Sequence, residues 1–272
     1  MDFDFSAGSL PILVSMPHAG SHLPGDVAAR MHDHARASID TDWHLPRLYD
    51  FLGQMGASTL AARHSRYLID LNRPPEDANL YPGQDTTGLC PLDSFAREPL
   101  YLPGQAPDAA EVARRLARYW QPYHGQLQAE LSRLLSVHGA VLLWEAHSIA
   151  SRVPRFFDGR LPDLNFGTND GASCGAGLSD ALVSLVPPTF STALNGRFKG
   201  GYITRRYGQP RAGVHAIQLE MCQCLYMNEP GMASAPPAGT DATALAYRPD
   251  LADSVRPLLQ ALVGAAVDWV RR

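Results

Sequence analysis

The sequence predicts a single α/β domain over residues 1–272, with a mixed, mainly parallel β-sheet flanked by helices. Three observations favour this fold class. Short apolar runs alternate along the chain with longer stretches of helical pattern. The hydrophobic share of 45% and the charged share of 18% are typical of a globular protein. The length of 272 residues suits one large α/β core.

The predicted strands are short apolar runs bounded by polar segments, which is the pattern of strands buried in a sheet. They are Ile12–Met16, Ser58–Ala62, Tyr67–Leu71, Ala140–Trp144 and Val214–Met221, with weaker candidates near Phe190 and Tyr202. Because ligands of open α/β sheets bind beyond the carboxyl ends of the strands, the residues that follow each run are the first candidates for a functional site.

Helical periodicity marks the segments between and after these runs. Helices are predicted from about Asp42 to Gln54, Asp108 to His138, Cys174 to Val186 and Pro249 to Arg272. Pro122 is expected to kink the longest of them, because proline cannot donate the helical hydrogen bond. Long irregular stretches are predicted at 73–104, 148–172 and 226–248, where functional or mobile loops are expected. Those at 73–104 and 226–248 could act either as lids or as subunit contacts, so a homo-oligomer is compatible with the sequence.

Charge and composition argue against nucleic-acid and membrane partners. The net charge is -4 and the arginines are scattered, which leaves no basic surface for a nucleic acid. No apolar stretch approaches the roughly 20 residues of a membrane span, and the first residues lack a signal peptide, so a cytoplasmic location is expected. The four cysteines form no CxxC pair and are expected to be reduced, mostly structural thiols.

Potential metal ligands follow two of the predicted strands. His18 comes after the first run, beside Ala19 and Gly20, which allow close approach of an ion or ligand, and His147 comes after Trp144. Asp42 opens the first predicted helix, although Asp40 or Asp42 could simply cap that helix. Two imidazoles and a carboxylate are a ligand set of catalytic zinc, and such a set also accepts cobalt, manganese or iron.

One carboxylate and several cations could act on a substrate at such a site. Glu220 lies on the apolar run that ends at Met221, where an acidic side chain is costly unless it is paired or functional. Asn72 and Arg73 follow another run and could bind a carboxylate, with Arg66 preceding the same run. Structural or surface ion pairs are the alternative for each of these groups.

A second cationic segment, NGRFKGG, places Arg197 and Lys199 between glycines. A flexible loop of this kind could close over an anionic substrate, whereas the spacing of a phosphate-binding P-loop is absent.

Eight stretches of the chain together resemble the N-formylglutamate amidohydrolase, or N-formylglutamate deformylase, family. They lie between about Pro11 and Asn228 and read SMPHAG, DTDWHLPRLYDF, SRYLIDLNRP, WQPYHG, AHSI, LPDLNFGTNDGASC, NGRFKGGYITRRYG and HAIQLE. So many motifs in one order make the resemblance specific, although each motif alone is weak. Since the family is similar to zinc carboxypeptidases and aspartoacylases, the resemblance implies a zinc-carboxypeptidase-like (phosphorylase/hydrolase-like) fold.

The resemblance implies metal-dependent hydrolysis of an acidic small molecule, N-formyl-L-glutamate, to formate and L-glutamate, the last step of a histidine degradation route. His18 and His147 match the zinc histidines of the family. In carboxypeptidases the carboxylate ligand lies three positions after the first histidine, where this chain has Ser21. Asp42 is therefore taken as the third ligand, with His22 as its alternative.

The resemblance also implies roles around the metal. Glu220 matches the general base and proton shuttle, and Arg66 matches the arginine that polarises the carbonyl. Asn72 and Arg73 match the pair that holds a substrate carboxylate, and Arg197 is a further carboxylate-binding candidate.

Two other functions are compatible with these residues. A zinc amidohydrolase for another N-acyl amino acid or a peptide would use the same scaffold with a different acyl pocket. A non-catalytic protein that binds acidic ligands would need the arginines but no metal. A serine hydrolase is disfavoured, because the segment GAS at 171–173 lacks the GxSxG pattern.

Overall fold

The apolar runs of the sequence form the centre of one twisted sheet. The computed structural model describes residues 2–229 and 245–272. The strands in these residues are β1 (Phe3–Ser6), β2 (Ile12–Met16), β3 (Ser58–Ala62), β4 (Val141–Ile149), β5 (Leu164–Gly167), β6 (Thr192–Leu194) and β7 (Val214–Cys222). They lie side by side in the order β1-β3-β2-β4-β7-β5-β6.

Most neighbouring strands in this sheet run parallel. The four central strands β3, β2, β4 and β7 pair in parallel, as do β5 and β6. The pairs β1–β3 and β5–β7 are antiparallel. The predicted fold class, a mixed and mainly parallel sheet flanked by helices, is therefore confirmed.

Helices cover both faces of the sheet. They are α1 (Gly25–Ala28), α2 (Asp33–Arg36), α3 (Leu45–Leu48), α4 (Leu52–Met55), α5 (Ala109–Arg115), α6 (Gln121–His138), α7 (Leu178–Val183), α8 (Tyr202–Tyr207) and α9 (Pro249–Val270). Apolar side chains of α3, α4, α7 and α9 pack on one face, and those of α6 pack on the other. Because both faces are covered, the central strands are buried over most of their length and are largely apolar before their carboxyl ends.

Helices α5 and α6 are joined by a π-helical turn over Leu116–Trp120. Gln121 N–H closes this turn by donating to the carbonyl oxygen of Leu116, five residues back. Pro122 has no N–H and its ring would crowd the carbonyl four residues earlier in a regular α-helix. The wider turn accommodates this proline without ending the helix, where the sequence had predicted a kink.

Two of the predicted strands are wrong. Tyr67–Leu71 is buried, but its backbone forms turns instead of pairing in the sheet. Tyr202 opens the helix α8 instead of a strand, whereas the weaker candidate near Phe190 lies next to β6, Thr192–Leu194. Conversely, the sequence patterns missed β1, an edge strand with mostly exposed side chains, and β5, a strand of four residues inside a predicted loop.

Helix boundaries also differ from the predictions. The segment from Asp42 to Gln54 contains two separate turns of helix, α3 and α4, and the segment from Cys174 to Val186 contains only α7. The stretch 73–104 has no helix or sheet strand, as expected for a long loop. Of the predicted loop at 226–248, residues 230–244 lie outside the described residues. Among the described helices, none is both long and apolar enough to cross a membrane, and the four cysteines are free thiols.

The register of the central strands brings polar side chains together at their carboxyl ends. His147 of β4 lies opposite Glu220 of β7, and Glu145 lies opposite both Gln218 and Ser15. Residues two apart on a strand point to the same face, so these side chains share the face that α6 covers. The fold therefore gathers ionisable groups where ligands of parallel sheets bind.

Candidate active site

The three predicted metal ligands meet at this edge of the sheet. Donor atoms of His18, Asp42 and His147 all lie within 4.8 Å of one another, and all three residues are buried. His18 follows the end of β2, and His147 lies within β4. Asp42 N–H donates to the His18 carbonyl at 3.0 Å, which anchors the loop that carries the carboxylate.

Asp42 does not cap the helix that follows it. The residue at the start of α3 is His44, and no side chain caps that helix. Instead, the Asp42 carboxylate points inward, where Oδ2 accepts a hydrogen bond from Ser148 N–H at 3.2 Å and lies 3.1 Å from His147 Nδ1. The capping alternative is therefore wrong, and the carboxylate belongs to the histidine cluster.

The two imidazole rings are held in the same way. His18 Nε2 lies 2.6 Å from Asp70 Oδ1, and His147 Nε2 lies 3.2 Å from Glu145 Oε2. Both Nδ1 atoms face Asp42, at 3.8 Å for His18 and 3.1 Å for His147. Metal-bound histidines usually donate their second ring N–H to a carboxylate in this manner. The donor set and its outer carboxylates thus fit a divalent ion such as zinc.

Burial and mutual charge set the ionisation of this cluster. Burial opposes charging of both histidines and lowers the pKa of His18, an effect that the nearby Arg66 reinforces. For His147, hydrogen bonds to Asp42 and Glu145 outweigh burial and raise the pKa well above its ordinary value. Burial also disfavours ionised Asp70, but His18 and Arg66 hold the pKa of that carboxyl well below its usual range.

Glu220 stands beside the cluster with an unengaged carboxylate. Its side chain lines the cleft next to His147 and has no hydrogen-bond partner among residues 2–229 and 245–272. Burial, at 8% exposure, is the main reason that its pKa rises to about 8; His147 and Arg66 oppose this rise and Asp42 adds to it. A carboxyl group with these properties is suited to accept and return a proton near neutral pH.

Three arginines line the cleft around this group. Arg66 pairs with Asp70 at 2.7 Å and lies over the Phe95 ring. Arg73 points into the cleft with its buried Nε unpartnered, and its nearest carboxylate oxygen, on Asp70, is 3.9 Å away. Within residues 2–229 and 245–272, Arg197 donates only to the carbonyls of residues 156 and 85, at 2.8 and 3.0 Å. The positive charges of Arg73 and Arg197 are thus available to bind an anionic ligand.

Asn72 lines the same cleft, but its amide is engaged by the protein. Oδ1 accepts a hydrogen bond from Ile203 N–H at 2.9 Å, and Nδ2 lies 3.1 Å from His147 Nε2. A glycine at position 201 is required here, because a Cβ atom would lie 2.4 Å from Asn72 Nδ2. Asn72 therefore links the imidazole of His147 to the turn that starts α8.

Three residues considered in the sequence lie away from the cleft. His22 is exposed and its ring packs on His64, with centroids 5.1 Å apart, so it is no member of the metal cluster. Lys199 pairs with Asp170 at 3.1 Å, outside the cleft. Gly20 allows a close approach, as expected, but its neighbour is the backbone of Arg63 rather than an ion or ligand.

Several residues of the site carry no role that the sequence patterns predicted. Asp70 and Glu145 were not assigned roles, although Glu145 precedes His147 by two residues on the same strand face. Aromatic side chains complete a cleft of about 600 Å³, its open mouth included; they are Tyr81, Phe95, Phe156 and Phe198. These come from loops, where no periodic pattern reveals the direction of a side chain.

Comparison with known proteins gives consistent matches over nearly the whole chain. The family model described as N-formylglutamate amidohydrolase matches residues 10–227. A protein of Pseudomonas aeruginosa named N-formylglutamate deformylase is 51% identical over 98% of this chain and 96% of its own length. A Pseudomonas putida protein of the same name is 47% identical over 97% of this chain and 95% of its own.

Solved structures show the same fold. The crystal structure of N-formylglutamate amidohydrolase from Ralstonia eutropha JMP134 matches with a TM-score of 0.79 at 24% identity, covering 99% of this chain and 98% of the other. A gene product of Agrobacterium tumefaciens matches with a TM-score of 0.70 at 18% identity, over 99% and 96% of the two chains.

Proposed function

This chain belongs to the N-formylglutamate amidohydrolase family, and we propose that it hydrolyses N-formyl-L-glutamate to formate and L-glutamate. The observation that carries the proposal is the cleft itself, in which the unengaged Glu220 and three arginines face the cluster of His18, Asp42 and His147. The names of the two Pseudomonas relatives support the substrate. The family resemblance supports a cytoplasmic enzyme at the end of histidine degradation.

We further propose that His18, Asp42 and His147 hold one divalent ion, with zinc as the first candidate. A bound ion would supply Lewis acidity to the formyl carbonyl and lower the pKa of water. Asp70 and Glu145 would fix the two imidazole rings so that Nδ1 of each faces the ion. The two imidazole rings would thus be oriented for metal binding before the ion arrives.

The residues of the chain divide the chemistry between them. Glu220 takes the proton of the attacking water and returns it to the departing α-amine, for which a carboxyl pKa near neutrality is favourable. Arg66 stabilises the negative charge that develops on the formyl oxygen, and its ion pair with Asp70 keeps the guanidinium in place. The C–N bond breaks as the amine is protonated, which yields formate and glutamate.

Arg73 and Arg197 account for a substrate with two carboxylates. In the part of the chain that the structure describes, no carboxylate lies at hydrogen-bond distance from either guanidinium. The ring of Phe156 and those of Tyr81 and Phe198 lie 5.3 to 5.6 Å from the Arg197 guanidinium and limit its motion. We assign one substrate carboxylate to each arginine.

Replacing Arg197 by glutamine is expected to raise KM for N-formyl-L-glutamate by about 10- to 100-fold, because a charged hydrogen bond contributes about 1.5–3 kcal/mol. The matched control is Lys199→Gln, two residues along the same loop, where the side chain pairs with Asp170 outside the cleft. Steady-state kinetics of both variants measure the effect. Equal KM values for Arg197→Gln and wild type would remove Arg197 from the substrate site.

The proposed function is tested by the release of formate and glutamate from purified protein. We expect turnover of N-formyl-L-glutamate and much slower turnover of N-acetyl-L-glutamate at equal concentration, because the acetyl methyl group needs more room beside the metal. A preference for the acetyl compound would assign the site to another N-acyl amino acid. If metal-loaded protein bound N-formyl-L-glutamate but did not hydrolyse it, the result would favour a non-catalytic binder.

A further inference from the structure

The motif WQPYHG, residues 120–125, has no role in the site described so far. It lies where the π-helical turn ends and α6 begins. The rings of Trp120 and His124 stack on each other, with centroids 3.6 Å apart and an interplanar angle of 22°. Neither residue lines the cleft. π-Helical turns recur at functional sites in proteins. The contacts of Trp120 and His124 connect this turn to the backbone beside the cleft.

Both stacked rings donate hydrogen bonds to the backbone beside the cleft. Trp120 Nε1 donates to the carbonyl oxygen of Arg73 at 3.0 Å, and His124 Nε2 lies 2.8 Å from the carbonyl oxygen of Leu71. These two carbonyls flank Asn72. The two donors therefore hold the segment Leu71–Arg73 on either side of its central residue.

The protonation state of His124 suits this contact. Burial lowers its pKa to about 4, so the ring is neutral at physiological pH. Its Nδ1 lies 3.0 Å from the hydroxyl of Tyr207, which can donate to it, and this fixes the proton on Nε2. The ring is thus kept in the tautomer that donates to Leu71.

The held segment connects several parts of the active site. Asp70 contacts both His18 and Arg66, and its Oδ1 accepts a hydrogen bond from Asn72 N–H at 2.8 Å. Asn72 contacts His147, and Arg73 points into the cleft. The segment has no helix or strand of its own. Its geometry therefore depends on contacts such as those with the two rings, rather than on a ladder of backbone hydrogen bonds.

We propose that Trp120 and His124 are positioning residues that hold Leu71–Arg73 in the geometry that binds substrate. This inference rests on the proposed function for its effect on substrate. The two rings act through the backbone, since neither reaches the reacting groups. Loss of either donor releases one end of the segment. The Arg73 side chain then no longer points towards the substrate carboxylate.

The test compares Trp120→Phe and His124→Phe, which keep an aromatic ring but remove the donor, with His124→Gln, which restores an N–H donor. Each loss is expected to raise KM for N-formyl-L-glutamate by about three- to tenfold, the range for one hydrogen bond. The value of kcat should fall by less, and His124→Gln should return KM towards wild type. Trp144→Phe is the matched control, because Trp144 is buried on the opposite face of the sheet.

Amide hydrogen exchange of residues 70–73, measured without substrate, separates this proposal from the proposed function. Faster exchange there in Trp120→Phe and His124→Phe, but not in Trp144→Phe, is expected even if wild-type protein does not turn over N-formyl-L-glutamate. Unchanged exchange in residues 70–73 of both variants would overturn the positioning role. So would an equal rise of KM in the Trp144→Phe control, since general destabilisation would then explain the effect.

Discussion

Replacing Glu220 by glutamine is expected to lower kcat for N-formyl-L-glutamate by about 10²–10⁴-fold, the range for loss of a general base. The amide has nearly the shape of the carboxyl group but cannot take the proton of the attacking water. Since Glu220 binds no other side chain among the described residues, its replacement leaves the neighbouring structure intact. KM should change little, because the arginines that hold the substrate are untouched.

Glu130→Gln is the matched control for this variant. Glu130 is also buried, but it lies on α6, away from the cleft, and its carboxylate is engaged by Arg133 of the same helix and by Ser58 of β3. Its replacement is expected to reduce stability and to leave kcat near the wild-type value. A Glu220→Gln enzyme that retains more than about a tenth of wild-type kcat would assign the proton transfer to another group.

Removing one of the cluster histidines is expected to weaken metal binding strongly and to remove activity with it. Replacing a partner behind a metal ligand weakens affinity by about 10- to 100-fold, so loss of a ligand itself should exceed that range. His147→Ala should therefore lose zinc on dialysis, and zinc titration of the apo protein should give a correspondingly weaker Kd. The wild-type protein should lose turnover in chelator and recover it when zinc is added.

His215→Ala is the control for the metal experiment. His215 lies at the opposite end of β7 from Glu220, where its Nδ1 accepts a hydrogen bond from Gly175 N–H. This variant should keep one bound ion per chain, as measured by elemental analysis. If His147→Ala also retained stoichiometric zinc, the ion would bind elsewhere and the assignment of the three ligands would fail.

The sequence predicted the centre of the fold better than its edges. Strands β2, β4 and β7 are buried over most of their length, and β2 and β4 begin with continuous apolar runs that are visible without an alignment. The same signal misled at Tyr67–Leu71, where apolar side chains are buried under loops and not in the sheet. A short apolar run indicates that its side chains are buried, but it does not show whether the backbone forms a strand or a turn.

The site was predictable where a residue's position on an element decides its neighbours. His18 and His147 lie at or near the carboxyl ends of adjacent strands, and the rule for parallel sheets brings them together. Asp70 lies in an irregular segment and owes its role to a contact with His18, which no spacing reveals. Arg197 was recognised by its charge, whereas the aromatic rings around it come from separate loops.

The place of β7 in the sheet has a consequence for how the chain is made. This strand comes last of the seven along the sequence, yet it lies between β4 and β5. During synthesis the growing chain therefore carries an open edge on β4 until residues 214–222 leave the ribosome. Such unpaired edges promote aggregation, so the late insertion of β7 makes this protein a candidate for chaperone protection of its nascent chain. The strand that completes the sheet is also the one that delivers Glu220.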